Sequence, residues 1–169
     1  MRARSFPPVA RPDARLLILG SLPGTRSLEA GQYYAHPQNR FWHLVGLAID
    51  TDLVAIDYTT RLAALAAHRI ALWDVVASAR REGSLDAAIR EAEFNPLADL
   101  VASLPDLGAV AFNGRKAETI GEKLLAGSPV QRVALPSSSP AFAAMPLAEK
   151  EKHWRRLRDF LETSPGPAH

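Results

Sequence analysis

Apolar residues along the chain gather in four short runs, each broken by a turn or polar residue, with longer amphipathic stretches between them. The runs Arg15–Gly20, Arg69–Val76, Ala109–Phe112 and Val130–Leu135 have the length and continuity of strands buried on both faces. Between them, Asn39–Asp50 places Phe41, Leu44, Val45 and Ala48 on one helical face, and the alanine- and leucine-rich Tyr58–His68 is a good helix former. Further helices are expected over Ser84–Ala92, from an N-cap at Asn95 with Pro96 at the first helical position through Ser103, over Arg115–Leu125, and over Leu147–Leu161. Ser21–Gln38 reads as a long loop.

Strands alternating with helices four times indicate an α/β chain with a parallel sheet covered on both faces. Parallel strands share one direction, so their polar ends at Ser21, Asp74, Asn113 and Ser137 must line a single edge, where ligand crevices form. Residues 1–14, with three prolines and three arginines, read as a flexible, extended arm; 15–162 is expected to be a single domain and 163–169 a fraying tail.

Composition narrows the chemistry. The 169 residues include no cysteine, which removes disulfides, thiolate zinc sites and a cysteine nucleophile. No apolar run reaches membrane-span length and the N-terminus has no apolar signal core, so a cytoplasmic protein with no membrane partner is expected. A formal charge of +2 permits nucleic-acid binding without requiring it. The pairs Arg80-Arg81, Arg115-Lys116 and Arg155-Arg156 are either DNA-facing or ordinary solvated charge. No glycine-rich phosphate loop with an adjacent lysine follows the first strand, which argues against a nucleotide-handling loop.

The stretch Gly20 to Trp42, GSLPGTRSLEAGQYYAHPQNRFW, resembles motif one of the uracil-DNA glycosylase superfamily, in particular its hypoxanthine-DNA glycosylase branch. Mismatch-specific uracil glycosylases share a similar run. Leu72-Trp73-Asp74-Val75, Gly83-Ser84, Phe112-Asn113-Gly114 and Leu135 to Pro140 follow in the expected order, the last as motif two. The resemblance implies a three-layer α/β/α sandwich with a central four-stranded parallel sheet. It also implies a monomeric DNA repair enzyme that flips a deaminated base, hypoxanthine with uracil as a second candidate, and hydrolyses its N-glycosidic bond without cofactor or metal. A mismatch-type uracil glycosylase and a non-catalytic nucleic-acid-binding module of the same fold are the alternatives.

One position departs from the better-known branches: Leu22 stands where they carry a polar, water-positioning residue. The resemblance then implies Asn39 as the catalytic residue, an amide able to hold water, with a plain helix N-cap as the competing role. Gly20, Ser21 and Leu22 form the turn at the base. Tyr33 or Tyr34 would stack on the flipped base or pack in the core, and His36 would donate to a base carbonyl or phosphate, or be tied to the backbone. Asp74 would accept from N1–H of hypoxanthine, or form a salt bridge or cap. Pro136, Ser137, Ser138 and Ser139 would meet DNA phosphates or form a rigid turn. Phe142 and Met145 are candidates for an apolar wedge.

Overall fold

Each apolar run becomes a strand whose successive side chains face opposite layers. The computed structural model describes residues 2–161. Its strands are β1 (Arg2–Arg4), β2 (Leu16–Gly20), β3 (Ile70–Asp74), β4 (Val76–Arg80), β5 (Arg90–Phe94), β6 (Ala109–Asn113) and β7 (Gln131–Leu135). Its helices are α1 (Thr25–Ala30), α2 (Phe41–Ala48), α3 (Tyr58–Ala67), α4 (Leu97–Ala102), α5 (Arg115–Leu124), α6 (Leu147–Arg155) and α7 (Arg158–Leu161).

The main sheet is wholly parallel, in the order β3-β2-β6-β7. Leu16, Ile18, Leu72 and Ala111 meet Phe41, Leu44, Leu65 and Trp154 of α2, α3 and α6 on one face. Leu17, Leu19, Trp73 and Phe112 meet Val76, Leu97 and Ala117 on the other. This is the expected α/β/α architecture, with the two-residue alternation of the strands dividing the core into two clusters. The chain leaves β2 for β3 on one side and later crosses to β6 on the other. The strand ends Gly20 and Asn113 therefore flank the point where the order reverses, the place where such sheets open a crevice.

Several elements differ from expectation. Ser84–Ala92 is no helix: a short 3-10 turn, Asp86–Ala88, leads into β5, which pairs antiparallel with β4 in a second sheet, β1-β4-β5. The second apolar run divides, so that Val76 begins β4 instead of ending β3. The loop after β2 contains α1. Asn95 does not cap α4; its amide donates to the carbonyls of Asp74 (2.7 Å) and Val76 (3.4 Å), holding the junction between the two sheets.

The N-terminal segment, expected as a flexible arm, is paired with the body. β1 joins β4, Val9 exchanges backbone hydrogen bonds with Leu72, and the carbonyls of Phe6 and Pro7 accept from Trp73 Nε1 (2.9 Å) and Tyr33 Oη (3.0 Å). Buried indole and phenol groups need partners, and this segment supplies them. The expected fraying tail lies outside the described residues. Among the described residues no helix is long and apolar enough to cross a membrane.

Candidate active site

The carboxyl edge of the parallel sheet opens into a cavity of about 960 Å³, within the size range of small-molecule sites. Gly20, Ser21, Leu22, Tyr33, Tyr34, His36, Asn39, Asp74 and the turn Pro136–Ser139 all line it. The four strand ends thus bring together residues from four separate stretches of sequence.

Its closed end is built around Gly20. A β-carbon at this position would lie 2.6 Å from Tyr34 Oη and 2.7 Å from Asp74 Oδ1, so only glycine fits beneath the two polar groups. Tyr34 adopts a left-handed backbone (φ 54°), which is costly for an aromatic residue, and its ring stacks on Phe41 at 3.8 Å between centroids. Among the described residues, Tyr34 Oη and Asp74 Oδ2 are buried without hydrogen-bond partners. Burial, followed by the charge of Asp86, pushes the Asp74 carboxyl up to about 7, with Arg81 opposing the rise. Burial and then Asp74 raise the Tyr34 phenol well above its ordinary value, so it is a neutral donor.

Asn39 is fixed by a network that crosses three strand-end loops. Its Oδ1 accepts from Phe41 N–H (3.0 Å), the first residue of α2, and from Ser138 Oγ (2.8 Å). Ser138 Oγ in turn accepts from Asn113 Nδ2 (2.9 Å), and Ser138 N–H donates to Asn113 Oδ1 (2.9 Å). Both acceptor sites of Asn39 are therefore occupied, and its Nδ2 donors have no protein partner among the described residues. Asn39 lines the cavity, and although its Oδ1 holds the Phe41 N–H, the N-cap position of α2 falls one residue later than expected, at Arg40.

The same network corrects one expectation. Ser138 is 1 % exposed and its hydroxyl and N–H are both engaged internally, so it positions Asn39 and does not reach a phosphate. Ser137 and Ser139 accept backbone bonds at their hydroxyls, from Ser139 N–H and Ala141 N–H, and keep their own hydrogens to donate. Tyr33 is 3 % exposed and packs edge-on against Phe6, which leaves its face unavailable for stacking. His36 Nδ1 accepts from Gln38 N–H (3.1 Å), so Nε2 is its free donor. Leu22 belongs to the buried core cluster beneath β2 and also borders the cavity.

One site residue escapes a reading of the sequence, and a second takes a role other than the two expected of it. Asp86 lines the cavity and its Oδ1 accepts from Ser21 Oγ at 2.5 Å; the sequence places it only within the helix expected over Ser84–Ala92. Arg81 reaches from the same segment to the carbonyls of Leu22, Pro23 and Gly83, fastening the loop after β4 to the turn after β2. Leu85, 58 % exposed and bordering the cavity, joins Phe142 as an apolar group at its mouth.

The fold and site define an α/β protein whose parallel sheet opens a ligand-sized cavity at its switch point, lined by amide and carboxylate side chains. Residues 7–162 match the Uracil DNA glycosylase superfamily. The chain belongs to that superfamily and is a DNA glycosylase. It is 44 % identical over 141 residues, 83 % of this chain and 89 % of the relative, to a hypoxanthine DNA glycosylase of Methanosarcina acetivorans. A hypoxanthine DNA glycosylase of Methanosarcina barkeri is 46 % identical over 116 residues, 69 % of this chain and 73 % of the relative. A solution NMR structure of a candidate uracil DNA glycosylase from M. acetivorans superposes with a TM-score of 0.86 at 40 % identity, covering 96 % of this chain and 100 % of that one.

Proposed function

We propose that the chain excises hypoxanthine, and secondarily uracil, from DNA. The observation that carries this reading is the pair of buried, unpartnered groups at the closed end of the cavity, Tyr34 Oη and Asp74 Oδ2. Each orphan of this kind costs about 1–3 kcal/mol, so two together are expected where a ligand completes them. The Tyr34 hydroxyl donates and the Asp74 carboxylate accepts. Adenine and cytosine present a ring acceptor beside an amino donor, and deamination reverses both, leaving N–H beside C=O. The pair complements the deaminated edge and opposes the normal one. Relatives named for hypoxanthine support the purine as the main substrate; uracil carries the same N–H and carbonyl and is the second.

The C1′ atom is out of reach in a stacked duplex, so the nucleotide must be flipped into the cavity. Bond cleavage leads, leaving an oxocarbenium-like sugar, and water adds its hydroxyl to C1′ while its proton ends on the released base. Asn39 orients that water by donating from Nδ2, since Oδ1 is held by Phe41 and Ser138. Asp86 adds negative charge to the wall of the cavity, where positive charge develops on the sugar. Such chemistry calls for no metal or cofactor and for one chain, acting on DNA in the cytoplasm.

The test is a release assay on single- and double-stranded oligonucleotides carrying deoxyinosine, deoxyuridine or deoxyxanthosine. Hypoxanthine release leaving an abasic site is the expected result; uracil release with no hypoxanthine would replace the substrate, and binding without abasic product would remove catalysis. Asn39→Ala should lower excision at least about tenfold, roughly 1.4 kcal/mol of barrier, with substrate binding retained.

A further inference from the structure

Beside the base cavity is a smaller hollow of about 300 Å³ walled by Arg40, Ser139, Pro140, Phe142 and Lys150, among others. It shares Ser139, Pro140, Phe142 and Met145 with the base cavity, so whatever fills it adjoins the flipped nucleotide. Lys150 belongs to α6 and is only 5 % exposed. A lysine so enclosed is ordinarily paired with a carboxylate. Here its ammonium makes one long donation, 3.4 Å to the Ser139 carbonyl, and lies 5.2 Å from the Phe142 ring centroid.

Neither Lys150 nor Arg40 has a carboxylate partner among the described residues. Glu151, the next residue on α6, is taken by His43 at 2.6 Å. Burial, and after it the charge of Arg40, hold the Lys150 amine below its ordinary value, which places the two cations within electrostatic reach of each other. Two like charges beside one hollow, one of them desolvated, form an arrangement that an anion would complete.

We propose that this hollow is an anion subsite that binds a DNA phosphodiester next to the flipped nucleotide, held between Lys150 Nζ and the Arg40 guanidinium. The proposal rests on the chain acting on DNA, not on which base it removes. The lysine supplies a compact charge at the back and the arginine a fork at the solvent side. Arg40 N–H donates to the Ser138 carbonyl (3.0 Å), so the backbone carrying the exposed cation is tied to the turn that orients Asn39. Phosphate capture would thus fix the strand against the same turn.

The experiment measures binding to a duplex carrying an uncleavable tetrahydrofuran abasic analogue, across salt concentrations, for wild type, Arg40→Gln and Lys150→Gln. Arg40 is exposed and its side chain makes no hydrogen bond among the described residues, so its variant should remain folded even if Lys150→Gln does not. Arg40→Gln should weaken binding several-fold and reduce the slope of log affinity against log salt by about 1. Neutral methylphosphonates walked along the strand should then reveal one position that weakens wild type but leaves Arg40→Gln unaffected. An unchanged salt slope, or equal weakening of wild type and variant at every position, would overturn the subsite. Failure of wild type to bind this DNA at all would overturn both it and the DNA-acting reading. The expected pattern without hypoxanthine release in the assay above would leave the subsite standing and remove only the substrate.

Discussion

Asp74 carries opposing demands. Its enclosure beside Tyr34 gives the cavity a sharp acceptor, and the same enclosure raises the carboxyl to about 7. In the unfolded chain an aspartate titrates near 3.9, so the folded state holds the proton more tightly. The resulting contribution to stability is fully present below about pH 4 and is lost as pH rises through about 7, at about 1.4 kcal/mol for each unit of difference. Asp74→Asn should therefore raise the melting temperature relative to wild type more at pH 8 than at pH 5, as thermal unfolding will show. The same variant should alter the ratio of hypoxanthine to uracil release; an unchanged ratio would mean that Asp74 does not read the base. Asp74 was legible in the sequence because an acid ending an apolar run has few other reasons to be there. Asp86 was not, since its partner Ser21 is 65 positions away and nothing local announces the contact. Ser138 was visible as part of motif two, but its inward orientation depends on Asn113, which ends a different strand.

At the level of elements, the buried parallel strands were legible because burial on both faces leaves an unbroken apolar run. The antiparallel sheet was hidden. Arg90–Phe94, REAEF, has helix-forming composition and is mostly exposed, yet its backbone is claimed by β4. Tertiary pairing overrides a weak local preference here. Helix α1 was missed for the opposite reason: six residues with no side-chain cap bond give too short a periodic signal. The loop between β4 and β5 borders the site and is held by few contacts, chiefly Arg81, the bonds of Ser84 Oγ with Thr25 and that of Ser21 Oγ with Asp86. Replacing Arg81 with Ala removes charged hydrogen bonds worth roughly 1.5–3 kcal/mol each at most. Hydrogen exchange should quicken across residues 81–88 in that variant while the strands β2 and β6 keep their protection, and excision should fall with the loop's order. Unaltered exchange in the loop would show that Arg81 is not its fastening.

Across the whole molecule, the N-terminal segment acts as a clasp between the sheets. It contributes β1 to one sheet, a bridge from Val9 to Leu72 of the other, and acceptors for Trp73, Tyr33 and Asn95 through Phe6, Pro7 and Ser5. Removing residues 2–9 would strand the Trp73 and Tyr33 donors at about 1–3 kcal/mol apiece, while Asn95 keeps the carbonyls of Asp74 and Val76. The melting temperature should drop by about 10 °C or more, given roughly 2–4 °C for each kcal/mol in a chain of this size. A truncated protein as stable as the full chain would show the segment to be dispensable. The prolines of this stretch showed nothing of the role, because much of its contribution comes through the backbone of β1 and the carbonyls of Phe6 and Pro7, which every sequence possesses, and the partners of the Arg2 side chain lie 76 to 91 positions away.

The double occupation of Asn39 Oδ1 also bears on the timing of the reaction. With Phe41 N–H and Ser138 Oγ on both lone pairs, this side chain has no place to receive hydrogen from the nucleophile. Under the proposed mechanism, no proton is in flight at the slow step. Excision should then run at nearly the same rate in heavy water as in ordinary water, once chemistry is isolated by single-turnover measurement. Methanol should also compete as the attacking species, yielding a methyl glycoside of the sugar, because a site that only steers an oxygen does not demand that it belong to water. A large normal solvent isotope effect would instead place a base at work, and Asp86 would be the residue to examine.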